Sequence, residues 1–200
     1  MARPEEKDAD LDQEGGRKKS SSRRSEPFSQ ALLELGVALL ERGEVPLEQA
    51  RSEIVEISRQ AGLPDLDPIE VLSSMGSSGE PRGFMTDLVH DIRSAGIKTG
   101  LVTNNVAEFA VFWRNVVPLD ELFDDVIDSS AVGVRKPNSA IFALACERLD
   151  VEPGRALFID DYEGNVTGAQ RAGLVSVCCG YTVETARAAV TQVRTLLRQP

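Results

Sequence analysis

Two hundred residues, 42% of them hydrophobic and 27% charged, suffice for one compact domain with a packed core. A formal net charge of −10 argues against non-specific affinity for nucleic acid or an anionic membrane, and leaves a small diffusible substrate as the expected partner. The cysteines Cys146, Cys178 and Cys179 show neither metal-ligand spacing nor a disulfide framework, and no apolar run approaches the ~20 residues of a spanning helix, so the chain is expected in the cytoplasm with reduced thiols.

Residues 1–27 carry seven basic and seven acidic side chains and almost nothing apolar, so they are expected to form a disordered tail. Its charges cancel, and the whole deficit lies in residues 28–200. From Phe28 to about Ser74 the pattern is helical: Leu32, Leu35, Leu39 and Leu40 share a face, Gly43 ends that run, and Ala50, Ile54 and Ile57 recur in a second helix after Pro46. A short third helix is expected after Asp67-Pro68, and the Gly, Ser and Pro residues of 76–83 mark a connector. Residues 28–82 therefore predict a small all-helical cap with its connector.

Beyond residue 83 the period changes. The expected order is a helix from Phe84 to Gly96, a strand over Thr99–Val102, a helical stretch over Val106–Val116 and a short apolar segment at Asp125–Ile127. Helix Ser139–Leu149, strand Ala156–Ile159, helix Asn165–Ala172, strand Val175–Cys178 and a helix over Val183–Leu197 complete the chain. Alternating helices and strands predict an α/β core over 83–200, a parallel sheet flanked by helices, in which ligands gather at the strands' carboxyl ends.

Three polar clusters stand at those ends. Thr103 offers a hydroxyl, and the amides of Asn104 and Asn105 lie where a helix begins, which suits an anion; taken alone, the same three residues serve equally as a helix cap. Lys136 lies between Arg135 and Pro137, and the proline holds the lysine backbone extended, so the stem has a defined direction. Asp160 and Asp161 follow the apolar Leu157–Ile159; adjacent acids repel, so a core strand carries them where a metal or a base offsets the charge, or else they cap the following helix at the surface. Of the pair, Asp161 is the better metal candidate and Asp160 its supporting partner, with Asn165 able to orient either, and a carboxylate-and-water set suits Mg²⁺ rather than zinc. His90 and Trp113 sit on expected helices and read as surface and packing residues.

The ordered set LVTNN (Leu101–Asn105), VGVRKPNSAIF (Val132–Phe142) and FIDDYEGN (Phe158–Asn165) resembles the second, third and fourth motifs of the haloacid dehalogenase-like hydrolases. Within that family the chain is similar, in the RKP form of the third motif and the DD…N form of the fourth, to the branch holding the N-terminal phosphatase domain of soluble epoxide hydrolases. The resemblance implies a Rossmann-like core with a helical cap and Mg²⁺-dependent phosphoryl transfer through an aspartyl-phosphate. It also implies that Thr103 and Lys136 hold the phosphate and Asp161 the metal. The family's first motif, an apolar strand ending in DxDx(T/V), is not found; Asp8-Ala9-Asp10 has the spacing but no strand before it. The central strand of the sheet is therefore expected to be missing, and with it the nucleophile. Two readings follow: a phosphatase of small phosphate esters, impaired or truncated as written, and a pseudoenzyme that binds phosphate and metal. A phosphoacceptor receiver domain also pairs acids, a Thr and a Lys around Mg²⁺, but places its acid pair on the first strand.

Overall fold

The change of period near residue 83 separates a helical segment from an alternating α/β region in the computed structural model, which describes residues 37–60, 62, 83–110, 114 and 118–198. Before the change, residues 37–41 are helical, and Gly43 at φ +65° ends the turn in a conformation that side chains resist. A Cβ there would also come within 2.5 Å of the Ser130 carbonyl oxygen, so the glycine lets the helical segment lie directly on the α/β region. Helix α1, Leu47–Gln60, follows Pro46, and its Ala50 packs with Leu40 against Val106 and Phe109 of the loop after the first strand. The Leu47 N–H adds a 2.7 Å hydrogen bond to Glu108. The expected third helix, the connector at 76–82, the tail and Trp113 lie outside the described residues.

Helix α2 covers Gly83–Ser94, and Gly96 at φ +78° turns the chain into β1, Gly100–Thr103. The stretch after β1 is described only in part: a 3₁₀ turn at Ala107–Phe109 is followed by helical conformation at Ala110 and Arg114. A four-residue helix α3, Leu119–Leu122, leads into β2, Asp125–Asp128, and Asp128 caps a second short helix, α4, Ser129–Val132. Neither short helix has enough periodicity to be seen in sequence. Helix α5, Ser139–Leu149, is capped by the Asn138 carboxamide accepting from Ala140 N–H. Strand β3, Leu157–Asp160, helix α6, Glu163–Arg171, strand β4, Val175–Cys178, and helix α7, Val183–Leu196, follow. Both β1 and β3 begin one residue later than expected, so Asp160 is the last residue of its strand rather than the first beyond it.

The strands pair in two parallel couples, β1 with β2 from Gly100↔Asp125 to Thr103↔Asp128, and β3 with β4 from Leu157↔Val175 to Asp160↔Cys178. Among the described residues the couples form separate two-stranded sheets, with β1 and β3 each paired on one edge. A shared apolar layer nevertheless spans both: Val102 of β1, Ile127 of β2 and Phe158 of β3 meet Ile141, Phe142 and Ala145 of α5 and Ala169 of α6. On the other side Leu157, Ile159 and Val177 pack against α2 through Leu88 and α7 through Ala186, Ala189 and Val193. Helices thus cover both faces of the β3–β4 couple, and within each couple the two parallel strands end in register. No helix among the described residues is long and apolar enough to cross a membrane.

Candidate functional site at the strand ends

Thr103 ends β1 half-buried, its hydroxyl 3.4 Å from the Asn104 carbonyl, a long contact that leaves the O–H able to reorient. The next two residues are held firmly. The Asn104 carboxamide faces the Lys136 backbone at two points, its Oδ1 accepting from Lys136 N–H at 2.8 Å and its Nδ2 donating to the Lys136 carbonyl at 3.1 Å. Asn105 donates through Nδ2 to Asp128 at 2.9 Å and through its backbone N–H to the Ser129 hydroxyl at 3.0 Å. In this arrangement the Asn105 amide is occupied by the protein.

Asp128, at 2% exposure, is a hub that sequence reasoning missed. Its Oδ1 accepts from Ser130 N–H and Oγ, capping α4, while its Oδ2 accepts from Asn105 and lies 3.5 Å from the Arg114 guanidinium. The Asp-Ser-Ser string at a strand end is a helix-start signal that could have revealed the cap. Nothing local points to Asn105, 23 residues away.

Lys136 reaches from the loop after α4 into the space beyond β3. It is 9% exposed, its Nζ lies over the Phe158 ring 5.6 Å from the centroid, and the ammonium lies 2.7 Å from Asp160 Oδ2. Asp160, equally buried, accepts on its other oxygen from Asn165 Nδ2 and from Tyr162 N–H, both at 2.9 Å. Three charge-assisted bonds thus offset the desolvation of this carboxylate. Gly168 of α6 allows the approach: a Cβ there would meet Pro137 Cβ at 2.8 Å and crowd the Pro137 carbonyl.

Asp161 takes the opposite orientation and is exposed. The Cys178 thiol, a neighbour that spacing did not suggest, lies 3.7 Å from the Asp161 carbonyl, and burial, with Glu163 and Asp160 nearby, pushes its ionisation up, so at neutral pH it is a donor. Cys146 and Cys179 are buried in the core, and His90 is exposed on α2. The donor set around Asp161 fits a hard cation such as Mg²⁺ in kind, with carboxylate and carbonyl oxygens and water access. In number it is sparse, since among the described residues no group of three or more His, Cys, Asp or Glu side chains could hold a metal.

The helical segment contributes above these strand ends. Glu41 forms a 2.8 Å ion pair with Arg135, and burial raises its carboxyl above the usual range despite the opposing charges of Arg135 and Lys136. Between residues Ala38 and Arg42 and the loop Gly133–Asn138 lies a cavity of about 310 Å³. Sequence reasoning named Arg135 only as a flank of Lys136 and did not reach Glu41.

The structure brings Asn104, Lys136, Asp160 and Asn165 into one hydrogen-bonded chain; Thr103 and Asp161 adjoin it in sequence, next to Asn104 and Asp160, but among the described residues their side chains make no hydrogen bond to its side chains. A parallel α/β protein with its polar residues gathered at the strand ends is the class these observations define. The chain belongs to the haloacid dehalogenase-like hydrolases, whose family profile matches residues 21–173. It is 37% identical over 89 residues to a glyceraldehyde 3-phosphate phosphatase of Methanopyrus kandleri, covering 43% of this chain and 37% of that protein. A HAD-like family hydrolase structure from Porphyromonas gingivalis superposes with a TM-score of 0.61 at 25% identity, covering 89% of each chain. A HAD family enzyme of Bacteroides thetaiotaomicron, solved in complex with magnesium and inorganic phosphate, superposes with a TM-score of 0.53 at 20% identity, covering 80% of this chain and 86% of that one. The chain spans 15% to 62% of the length of the first curated relatives that it matches.

Proposed function

We propose that this chain carries a Mg²⁺-dependent phosphate-ester site of the phosphatase type, acting on a small phosphorylated molecule of the cytoplasm, and that as written it is severely impaired in turnover. The observation that carries the reading is the buried Lys136, held at its backbone by Asn104, the residue that follows Thr103 at the end of β1, and at its tip by Asp160. An ammonium fixed in a low-dielectric setting at converging strand ends is suited to offset the charge of a phosphoryl group, and catalysis of that transfer is largely positioning and charge stabilisation. Thr103 donates to a phosphate oxygen, Lys136 neutralises it, and Asp160 with Asn165 keeps the lysine in place. Asp161, with water, is the residue that would hold Mg²⁺, which supplies charge neutralisation to the phosphoryl oxygens when bound.

The impairment rests on what the strand ends lack. Among the described residues none of the four strands ends in the D-x-D pair that serves as nucleophile and acid-base in the family pattern. The same observation supports a second reading, a protein that binds phosphate and metal without hydrolysis.

Titration of the 200-residue chain with inorganic phosphate, followed by ³¹P NMR with and without Mg²⁺, tests the site. Binding that needs Mg²⁺ and is lost in Asp161→Asn is expected; no binding under either condition overturns the phosphate assignment. Turnover of p-nitrophenyl phosphate is expected to stay at the buffer level. Robust turnover abolished by Asp161→Asn would show that a nucleophile is present and that neither impairment nor the binding-only reading is correct.

A further inference from the structure

We propose that Asn104 is a positioning residue for Lys136, a backbone clamp whose side chain does not touch substrate; the inference rests on the phosphate-site reading above. A residue beside Thr103 at a strand end would ordinarily be expected to face the ligand with its side chain. The geometry is different. Both functional atoms of the Asn104 carboxamide are used on one residue, 32 positions away, with Lys136 N–H donating to Oδ1 at 2.8 Å and Nδ2 donating to the Lys136 carbonyl at 3.1 Å. A backbone N–H can only donate and a carbonyl can only accept, so the orientation of the carboxamide is fixed by its partners.

This clamp connects the loop after β1 to the loop that carries the lysine. From there the ammonium lies over the Phe158 ring and reaches Asp160, so Lys136 is held at root and tip. The root decides where the ammonium can be, because a lysine stem has four rotatable bonds and its reach is defined only when its backbone is. Asparagine suits the position better than aspartate, which would keep the bond from Lys136 N–H but leave the Lys136 carbonyl without its donor and bring a second negative charge toward the ammonium. Alanine removes both bonds. Asn104 therefore acts on phosphate through Lys136, and its loss should change the lysine before any ligand is added.

The test uses ¹⁵N-lysine-labelled protein. An ammonium buried in an ion pair exchanges slowly enough with water to give its own ¹H–¹⁵N signal, assigned by its disappearance in Lys136→Arg; the backbone ¹H–¹⁵N signal of Lys98 serves as the internal reference. In Asn104→Ala the Lys136 signal is expected to shift or broaden into solvent exchange without phosphate present, and inorganic phosphate with Mg²⁺ should bind about tenfold more weakly, the loss expected from two bonds to a part-buried backbone. Asn104→Asp, which retains the N–H bond, should fall between alanine and the parent in both readouts. An unchanged Lys136 signal in Asn104→Ala, with phosphate binding lost, would mean that Asn104 contacts the ligand directly, and the proposal fails. Should the parent bind no phosphate, the phosphate-site reading fails while the lysine signal still decides the clamp. Should Asn104→Ala not fold, Asn104→Asp gives the same decision.

Discussion

Replacing Lys136 by methionine removes one partner of a buried ion pair while keeping a flexible unbranched side chain, so the charge term is isolated from most of the packing term. Both partners are 9% exposed, and breaking such a pair costs roughly 3–5 kcal/mol because the remaining charge stays buried. Asp160 would still accept from Asn165 and Tyr162, which places the expected loss near the lower bound, about 3 kcal/mol. With a urea dependence of about 2 kcal/mol per molar, the unfolding midpoint of Lys136→Met should fall by about 1.5 M. The decisive comparison is the double variant. Lys136→Met with Asp160→Asn removes the stranded charge, so it should recover at least about 1 kcal/mol relative to Lys136→Met alone. Urea unfolding followed by circular dichroism at neutral pH measures all four corners of the cycle. A double variant as unstable as the sum of the two singles would show that the pair is not coupled, and that Lys136 is held in place by something other than Asp160.

Asp124 accepts from Thr99 N–H at 2.7 Å and from Arg93 at 2.9 Å, and these bonds, the backbone one foremost, hold its carboxyl below the ordinary 3.8. A carboxylate depressed on folding contributes stability that is present above the unfolded value and lost as pH falls through the lower folded one, so Asp124→Asn should differ most from the parent at neutral pH and converge with it in acid. Glu41 has the opposite sign. Its carboxyl is raised above 4.5 by burial, so the folded chain holds the proton more tightly and stability declines as pH rises from 4.5 through the folded value; Glu41→Gln should flatten that segment of a melting-temperature profile. Gly168→Ala places a Cβ 2.8 Å from Pro137 Cβ and against backbone, which should cost about 1–3 kcal/mol in urea unfolding. It should also weaken inorganic phosphate by displacing the Lys136 loop; unaltered phosphate affinity would separate that loop from the site.

The sequence made most of the architecture legible because the α/β region is locally consistent. Helix α5 and strand β4 fall on the expected residues, since Ile141, Phe142, Ala145 and Cys146 repeat at helical spacing and all four are buried. Strand edges shifted by one residue because a four-residue strand is bounded by pairing with its neighbour, and pairing is not written in either segment alone. The helices Leu119–Leu122 and Ser129–Val132 are single turns that depend on caps and contacts, too short for any period. The candidate site residues were chosen because they stand at expected strand ends in a family pattern. The partners that hold them were not: Asn104 meets Lys136 through its backbone, and Asn105 meets Asp128 across 23 positions, contacts with no local signal.

The acid pair shows what folding adds to a motif. In sequence Asp160 and Asp161 are one feature, two like charges whose repulsion calls for a cation. In the structure the end of the strand separates them, because Asp160 is the last residue of β3 and Asp161 lies in the bend beyond it. Asp160 turns inward to the ammonium of Lys136 and the amides of Asn165 and Tyr162, and Asp161 turns out to solvent beside Cys178. The first charge is therefore neutralised by the protein itself, with no metal required. Only the second is left for a cation, and a lone exposed carboxylate binds Mg²⁺ weakly, since that ion gives up its water shell reluctantly. Tight Mg²⁺ binding would then depend on phosphate arriving with it, so Mg²⁺ affinity measured by calorimetry should rise when inorganic phosphate is present, and by linkage the phosphate affinity should rise by the same factor when Mg²⁺ is present.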